Sequence, residues 1–401
     1  MTTAYLARHH CARRVGILLT VVALTAGMVG CLHLGPSRDL EIRTWYDLDA
    51  VRHNLVGHHR LMNDLDSTTP GYEELAGQAA NRGNGWEPIG TYDYSRFLRR
   101  RGWFTGSLDG QGYEIRDLFV GRPGEFQVGL FGSVYEATIE NVGVVNAAVT
   151  GYSTVGGLVG SSHWGTVTNC WFSGDVIGSQ GRAGGLVGWN GGTVSDCHAS
   201  GSVTGTRYVG GLVGISSGAV GRSHFSGSVT GIQEVGGLVG LSSGAVGRSH
   251  SNGSVTGDRA VGGLVGANQG TLSNSYSAVS VSGNERVGGL VGNNGAVGWD
   301  VSYGSVSKCY VSGNVSGASY VGGLVGYNPG SVSDSFWNME TTGQAISDGG
   351  TGKTTAEMVA IATFTGDGWS ITGVESGEAN EDYIWNIVDG QTYPFLSWQS
   401  V

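Results

Sequence analysis

Three histidines recur at one interval in this chain, and histidine is a common metal ligand. His198, His224 and His250 follow one another at steps of 26 residues. If 26-residue units stack at strand spacing, about 4.8 Å apart, the three imidazoles lie close enough to share one metal ion. The equivalent position of other units holds flat rings as well, namely Trp171, Tyr276, Tyr310 and Phe336. No carboxylate stands at a fixed place behind the histidines, so the sequence favours a column of stacked rings and predicts no metal site.

Other candidate chemical motifs fail on their spacing. The segment "SDGGTGKTT" at 347–355 resembles a phosphate-binding loop around Lys353, but Ser347 stands where glycine is required and no core strand precedes it. A zinc protease of the His-Glu-x-x-His type is excluded because no histidine is followed by glutamate. His58 and His59 are predicted to lie on the surface. No catalytic and no cofactor-binding residue is therefore predicted.

Acidic residues are scattered over the repeats at no fixed position: Asp175, Asp196, Glu234 and Asp258. β-Helices that cleave carbohydrates instead cluster acidic and basic residues on one outer face, often with calcium. Asp64 and Asp66 resemble a calcium pair but lack the remaining loop ligands. A groove in which three or more acidic and basic groups converge would favour an envelope polysaccharide-processing enzyme, and that alternative stays open.

The composition is dominated by glycine. The chain has 74 glycines in 401 residues and only 13% charged residues, with 32 acidic against 22 basic side chains and a net charge of −10. An acidic surface argues against nucleic acid as a partner, because nucleic acid requires a basic stripe. Valine, leucine and aromatic residues recur regularly among the glycines, which indicates an ordered β-rich protein and not a flexible linker.

The first 31 residues resemble an export signal of the lipoprotein type. Arg8, Arg13 and Arg14 precede sixteen uncharged residues, "VGILLTVVALTAGMVG", a stretch shorter than the ~20 residues of a membrane span. Met28–Cys31 resembles a bacterial lipobox, so we expect lipidation of Cys31. An uncleaved anchor and ordinary cleavage remain alternatives, and all three place the bulk of the protein outside the cytoplasmic membrane.

A glycine-rich phrase, "VGGLVG" with close variants, is repeated eight times. Its leucines stand 26 to 34 residues apart: Leu130, Leu158, Leu186, Leu212, Leu238, Leu264, Leu290 and Leu324. Each period holds three short Val/Ser/Thr-rich runs and no helical spacing, which is typical of a solenoid. We predict an all-β fold: a right-handed, three-sided parallel β-helix of about eight coils over 128–345, between a lead-in and capping region at 32–127 and a C-terminal cap at 346–401.

The repeated phrase is predicted to form a corner of each coil. Gly156 and Gly157 would bend the chain so that both Val155 and Leu158 point into the core, although their spacing has the wrong parity for one face of a straight strand. Further along, Cys170 and Cys197 belong to a column of small residues and would face each other on adjacent coils. A disulfide and two free buried thiols are both open.

Both ends of the array carry candidate caps, which an open β-helix requires to cover its strand edges. Thr44 is placed to cap a helix that turns Leu48, Val51 and Leu55 to one side. A second short helix is predicted at 354–364, and Asp389-Gly390 is predicted to be the turn of a hairpin. The eight-residue insertion within 293–307 should bulge from one coil as a loop.

The residues just before each corner vary from repeat to repeat. As loops on a rigid scaffold, they are candidates for ligand binding along one edge of the solenoid. The candidate residues are Arg207, Tyr208, Glu234, Arg259, Glu285, Arg286 and Tyr320.

The repeats resemble the GLUG motif family, whose core is Gly-Leu-any-Gly. The segments "RLMNDLD" at 60–66 and "FTGSLDGQGYEIRDL" at 104–118 resemble the lead-in of such arrays, and "WNIVDGQTYPFLSW" at 385–398 resembles their usual tail. The resemblance implies a β-helical surface module of exported bacterial and archaeal proteins, found in adhesin-like proteins and beside the protease domain of IgA peptidases. It brings no catalytic residue with it.

The predicted function is a non-enzymatic, lipid-anchored cell-surface protein used for adhesion or surface display. Its expected partners are surface glycans or proteins of another cell or of the host envelope, besides the membrane that holds its anchor. A polysaccharide-processing enzyme and a purely structural surface spacer are the alternatives.

Overall fold

The computed structural model of the chain describes residues 39–91, 102–295 and 302–399. The predicted export signal with Cys31 and most of the predicted insertion loop lie outside these ranges. Within the described ranges, strands dominate and almost all pair in parallel, so the predicted all-β parallel β-helix is confirmed. None of the helices in these ranges is both long and apolar enough to cross a membrane.

Each coil contributes to three walls, which we call sheets A, B and C. In one coil, Ala219–Gly221 lies in sheet A, His224–Thr230 and Gln233–Gly236 lie in sheet B, and Val239–Ser242 lies in sheet C. The next coil repeats the order and pairs in register one repeat further on, as with Val220 opposite Val246. Short parallel strands joined by tight corners therefore produce the solenoid.

In the described part of the chain, sheet A has eleven strands: Glu41–Ile42, His58–Leu61, Ser107–Asp109, Thr138–Glu140, Thr166–Thr168, Thr193–Ser195, Ala219–Gly221, Ala245–Gly247, Thr271–Ser273, Ser305–Ser307 and Ser331–Ser333. Sheet C has eight strands among the same residues: Phe131–Tyr135, Val159–His163, Val187–Asn190, Val213–Ser216, Val239–Ser242, Val265–Asn268, Val291–Asn293 and Val325–Tyr327. Sheet B comprises Glu114–Arg116, Phe119–Val128, Gly143–Gly156, Trp171–Gly178, Ala183–Gly184, His198–Thr204, Arg207–Gly210, His224–Thr230, Gln233–Gly236, His250–Thr256, Arg259–Gly262, Tyr276–Ser282, Glu285–Gly288, Tyr310–Val311, Val315–Ser316, Ser319–Gly322, Phe336–Asn338 and Thr351–Lys353.

The lead-in takes part in the winding. Three of its strands, Glu41–Ile42, His58–Leu61 and Ser107–Asp109, form the first part of sheet A. Phe119–Val128 then pairs with Gly143–Gly156 in sheet B. The solenoid core is therefore continuous from the lead-in into the repeats.

The repeated leucines form one interior column. Leu212, Leu238 and Leu264 are fully buried. Their main chains also bond from coil to coil: the N–H of Leu212 donates to the carbonyl of Leu238 at 2.9 Å, and that of Leu238 to Leu264 at 2.9 Å. The predicted interior column is confirmed, and the corner serves both as a core contact and as a hydrogen-bonded ladder.

The paired glycines at the corner are required by close approach of neighbouring main chains. A Cβ atom at Gly236 would collide with the carbonyl oxygen of Val239, and one at Gly237 with the carbonyl oxygen of Gly263 in the next coil. Neither glycine has a positive φ. The absence of a side chain, and not an unusual backbone conformation, is what the corner uses.

The column of small residues forms a buried hydrogen-bond ladder. The N–H of Ser223 donates to the hydroxyl of Ser249 at 3.2 Å, and the N–H of Ser249 to the hydroxyl of Ser275 at 3.2 Å. Each hydroxyl in turn donates to the carbonyl two residues earlier in its own coil. Cys170 and Cys197 take the same place as free, buried thiols. Only a small side chain with a donor and an acceptor completes this ladder.

The first helix begins as predicted. Trp45–Ala50 is capped by Thr44, whose hydroxyl accepts the N–H of Asp47 while the Asp47 carboxylate accepts the N–H of Thr44. A 3₁₀ turn, Val51–His53, extends it. The other short helices are Tyr72–Leu75, Ala80–Gly83, Met339–Thr342, Thr355–Met358 and Ile361–Thr365.

The single helix predicted at 354–364 is instead two helices. Ala360 is extended, with φ −96° and ψ 121°, and ends the first helical segment. The carboxylate of Asp389 accepts the N–H of Ile361 at 2.8 Å and so caps a new helix. A residue distant in sequence therefore decides the break, which local helix propensity does not reveal.

The C-terminal segment closes the last coil and then covers one side of the solenoid. The N–H of Gly323 donates to Ile346 and that of Asp348 to Val325, while Thr351–Lys353 pairs with Phe336–Asn338. A three-stranded sheet follows, made of Ile371–Gly373, Trp385–Ile387 and Phe395–Leu396. The last two strands are antiparallel, which confirms the predicted hairpin. This sheet and its helices share a hydrophobic cluster with Tyr310 and Phe336 of sheet B.

Substitution of a corner glycine tests the close approach of the coils. We expect Gly236→Ala to lower the free energy of unfolding by about 2 kcal/mol or more, because the new methyl group displaces the main chain of a packed corner. The measurement is urea denaturation followed by circular dichroism. Gly247→Ala is the matched control, since its Cβ would meet no atom closer than 3.6 Å. Equal losses in the two variants would contradict the steric role of the corner.

Thiol reactivity tests the small-residue ladder. Burial raises the pKa of Cys309 to about 12 and raises the pKa of Cys170 well above its usual value. We expect iodoacetamide at pH 8 to leave both unmodified in the folded protein and to alkylate both in urea, as measured by peptide mass mapping. Alkylation of folded Cys170, or a peptide in which Cys170 and Cys197 are disulfide-bonded, would refute this assignment.

Candidate functional site

The aromatic column predicted from the repeats is present on the outer side of sheet B. Ring centroids are 5.0 Å apart between His198 and His224, 4.9 Å between His224 and His250, and 4.8 Å between His250 and Tyr276. The planes of each pair lie within 8° of parallel. Imidazole lone pairs lie in the ring plane, so rings stacked in this way cannot direct two nitrogens at one ion. The arrangement is a stacked-ring ladder.

The C-terminal segment covers the middle of this ladder. The Trp398 ring lies 5.5 Å from the His250 ring and 5.9 Å from the His224 ring, and its N–H donates to the carbonyl of Arg248 at 3.0 Å. Burial, together with the neighbouring imidazole, lowers the pKa of His224 to about 4 and that of His250 to about 3. Both rings are therefore neutral at physiological pH, and His198 at the uncovered end is the most accessible of the three.

The remaining motif candidates have structural roles. His59 is buried, and its Nε2 lies 2.9 Å from the carbonyl oxygen of Asn54, so its predicted surface position is wrong. Side chains of the strand His58–Leu61 alternate between the two faces of the sheet, so His58 faces out and His59 faces the core. Lys353 lies in a sheet-B strand near Glu357 and over the Phe336 ring. Because Lys353 lies in a strand and contacts Glu357 and Phe336, the segment does not have the form of a phosphate-binding loop.

The two aspartates that resemble a calcium pair accept hydrogen bonds from different parts of the chain. Asp64 accepts the N–H of Glu114 at 2.9 Å, whereas Asp66 accepts the N–H and hydroxyl of Thr68 within its own turn. Within the described ranges, no group of three His, Cys, Asp or Glu side chains is placed to hold a metal ion.

The variable residues before each corner form an edge, which we call the corner edge, but they do not lie in loops. They belong to short strands of sheet B: Arg207–Gly210, Gln233–Gly236, Arg259–Gly262, Glu285–Gly288 and Ser319–Gly322. The prediction of loops is wrong because each segment pairs in parallel with the next, as Arg207 does with Gln233. The binding candidates are therefore held on a hydrogen-bonded wall.

One position of the corner edge has a left-handed backbone in most of the coils. The φ values lie between 48° and 61° at Gln127, Thr154, Tyr208, Glu234, Ala260, Arg286 and Tyr320. A non-glycine residue in this region costs of the order of 1 kcal/mol. A second position with a left-handed backbone directly precedes the column of small residues that contains Ser223 and Ser249. The side chains at this second position are all polar: Asn141, Asn169, Asp196, Arg222, Arg248, Asn274, Lys308 and Asp334. The corner edge differs in presenting tyrosines.

One cluster on the corner edge joins Arg207, Tyr208 and Glu234. The Arg207 guanidinium lies over the Tyr208 ring at 4.4 Å, and its Nε donates to the Glu234 carboxylate at 3.0 Å. Burial lowers the pKa of Arg207, but the hydrogen bond and charge of Glu234 outweigh it and raise that pKa overall. Glu234 itself is only 6% exposed. It therefore positions Arg207 and is not available as the ligand contact that we predicted.

A second cluster lies further along the corner edge. The Glu285 carboxylate is 3.6 Å from Nε of Arg259 and 3.3 Å from Nε of Arg286. Arg286 also lies over the Tyr327 ring at 4.7 Å, and Tyr320 meets Tyr327 edge to face. Tyr320 is 61% exposed. Exposed arginine and tyrosine, fixed by ion pairs and ring contacts, are well suited to contact a partner.

The structure also shows a pocket that the sequence did not predict. A cavity of about 370 Å³ is lined by Glu87, Pro88, Thr91, Arg122, Glu125, Phe126 and Gln127. Residues 87–91 and 122–127 are far apart in sequence and meet only in the fold. One sequence signal was present: Phe126-Gln127 stands before the "VGLFG" corner just as Arg207-Tyr208 stands before its own corner.

Comparison with known proteins identifies the repeat. The family model described as the GLUG motif matches residues 151–177, 179–204 and 283–316. The chain carries GLUG repeats. The matched segments each contain one buried corner leucine, so the motif corresponds to one coil of the solenoid. The expected resemblance is confirmed over these GLUG repeats.

Two relatives match part of the chain. Halomucin of Haloquadratum walsbyi is 37% identical over 172 residues, which is 41% of this chain and 2% of halomucin. A protein of Evansella cellulosilytica provisionally named a Gly-rich membrane protein is 34% identical over 141 residues, which is 32% of this chain and 14% of that protein. The chain thus spans only a small part of either relative.

One solved structure covers most of the chain. It is a crystal structure of a protein from Bacteroides ovatus provisionally named an immunoglobulin A1 protease. It is 17% identical, covers 91% of this chain and 94% of its own, and superposes with a TM-score of 0.41. A score below 0.5 does not establish a common fold.

The covered histidines predict a pH-dependent stability. Unfolded histidines bind protons below about pH 6.5, whereas folded His250 stays neutral down to about pH 3, so stability falls as the pH drops from 6.5 toward 4. His250 alone should contribute a loss of the order of 1 kcal/mol per pH unit in that window. Urea unfolding midpoints at pH 7 and pH 5 measure the effect.

The variant His224→Phe/His250→Phe keeps the rings and removes their titration, so its midpoint should change less between the two pH values. His53→Phe, at an exposed position, is the control and should behave as the wild type. An identical pH dependence in the double variant and the wild type would show that the ladder does not govern acid stability.

Proposed function

We propose that this chain is a non-enzymatic surface-binding protein that displays the corner edge on a rigid β-helix. The observation that carries the proposal is the contrast between the corner edge and the rest of each coil. The core and the corners repeat nearly unchanged, while the edge presents exposed Arg207, Arg259 and Tyr320 with fixed neighbours. Varied contact residues on an invariant scaffold are typical of repeat proteins that bind partners.

The contacts of the corner edge support binding to a large partner. The two clusters lie on successive coils, so contact groups recur at about 4.8 Å along a straight row. Arg207 over Tyr208 and Arg286 over Tyr327 offer flat cationic and aromatic surfaces. Because ion pairs already hold these side chains, little conformational entropy is lost on binding. A surface glycan or a protein of another cell or of the host envelope is the proposed partner.

A location at the cell surface is part of the proposal. The relative from Evansella cellulosilytica is named as a Gly-rich membrane protein. The lipobox-like segment ending at Cys31 supports attachment through a lipid on that cysteine.

Polysaccharide processing is the second candidate function. The pocket at Arg122 is the observation in its favour, since two carboxylates and a guanidinium meet there. Glu125, however, is paired with Arg122 and half exposed, and a general acid requires an apolar site. We therefore favour binding over hydrolysis.

Alanine at Arg207, Tyr208, Glu285 and Arg286 tests the corner edge. We expect the quadruple variant of the full-length protein to lose at least tenfold in whole-cell binding, measured by flow cytometry with labelled protein. A glycan array run in parallel separates sugar from protein partners.

Mass spectrometry of the native N-terminal peptide tests lipidation of Cys31.

The matched control is a quadruple alanine variant at exposed threonines of sheets A and B: Thr193, Thr230, Thr256 and Thr271. It should bind cells as the wild type does. If the edge variant binds as well as this control, the edge is not the contact surface and a structural spacer is the better assignment. If the peptide carries no lipid, the proposed anchor is wrong.

A further inference from the structure

The pocket beside Phe126 is built from two rigid segments. Nε of Arg122 donates to the carbonyl of Trp86 at 2.9 Å, and Nη2 of Arg52 donates to the carbonyl of Glu87 at 2.8 Å. Two guanidinium groups therefore fix the 86–88 wall from both sides. On the opposite wall, the side-chain oxygen of Gln127 accepts the hydroxyl of Ser133 at 2.9 Å. The cavity is preformed, which limits the entropic cost of filling it.

The lining of the pocket is amphipathic. Phe126 is 56% exposed and forms an aromatic wall, and its ring is supported by Tyr152 at 4.8 Å. Nη1 of Arg122, which is 9% exposed, donates to the Glu125 carboxylate at 2.9 Å, so a donor and an acceptor stand side by side. A pyranose ring has matching chemistry, since its C–H face stacks on an aromatic ring and its hydroxyls both donate and accept hydrogen bonds.

The charge and the volume of the pocket further restrict the chemical class and the size of the ligand that it can hold. Among the lining residues that the structure describes, Glu87 and Glu125 outnumber Arg122, so binding of a sugar carboxylate is disfavoured. The volume of about 370 Å³ lies at the lower end of the range for small-molecule sites, which are about 300 to 1,000 Å³. It therefore suits one or two sugar units and not a peptide segment.

The pocket lies at the N-terminal end of the corner edge. Phe126 pairs with Ser153, and Val128 pairs with Val155, so Phe126 holds the edge position that Arg207 and Arg259 hold in later coils. A chain bound in the pocket could thus continue along the edge. The lead-in supplies Glu87, so the cavity forms where the lead-in meets the strand Phe119–Val128.

We propose that this pocket binds an uncharged pyranose unit of a polysaccharide, with Phe126 stacking on the ring and Glu125 and Arg122 bonding neighbouring hydroxyls. Gln127 and Glu87 close the sides of the site. The site goes beyond the proposed binding by the corner edge and does not depend on it.

Isothermal titration of the full-length protein with short oligosaccharides tests the site. The probes are cellotetraose and mannotetraose as neutral chains and tetragalacturonate as the acidic comparison. We expect at least one neutral tetrasaccharide to bind tenfold or more tightly than tetragalacturonate. Phe126→Ala should weaken that binding at least tenfold, and Glu125→Gln should weaken it severalfold. Tyr46→Ala removes a similarly exposed ring, 51% against 56% for Phe126, that lines neither the pocket nor the corner edge, and it should leave this binding unchanged.

The following results would overturn the inference. Failure of both neutral probes to bind, a preference for tetragalacturonate, or undiminished binding by Phe126→Ala would refute it. Release of reducing ends from the probes would assign the pocket to hydrolysis instead of binding. The quadruple edge variant separates the two proposals: if it binds cells normally while Phe126→Ala loses tetrasaccharide binding, the pocket stands and the edge assignment fails.

Discussion

The close approach of main chains at the Gly-Gly corner is the constraint on which the rest of the structure depends. A methyl group at Gly236 or Gly237 would collide with a neighbouring carbonyl, so only glycine allows the coils to reach hydrogen-bonding distance there. That distance joins Leu212 to Leu238 and Leu238 to Leu264 through the main chain. Once the corners stack, every other position of the repeat must stack on its own copy.

Because the coils stack in register, equivalent residues form columns in which each side chain depends on its neighbours in the adjacent coils. Ser223 and Ser249 form a hydroxyl ladder only because each supplies the acceptor that the previous coil needs. His224 and His250 are held face to face and neutral because rings and Trp398 surround them. The same spacing leaves the corner edge free to vary, since exposed residues such as Arg207, Arg259 and Tyr320 do not pack in the core.

Features outside the repeats give the molecule its asymmetry. The C-terminal sheet packs against Tyr310 and Phe336, so it shields one end of the ring column and leaves His198 more open. The lead-in contributes strands to sheet A and brings Glu87 beside Arg122. A perfectly repetitive solenoid would present the same surface on every coil, and these two additions create local sites on it.

The sequence by itself determined the coil period, the inward leucines, the ring column, the Thr44 helix cap and the hairpin, because each depends on residues close in sequence or on the repeat interval. Only the tertiary structure decided the break at Ala360, the burial of His59 and Glu234, and the strand character of the corner edge. It alone assembled the Phe126 pocket, in which residues 87–91 meet 122–127. Those outcomes rest on contacts between distant segments, which no local pattern encodes.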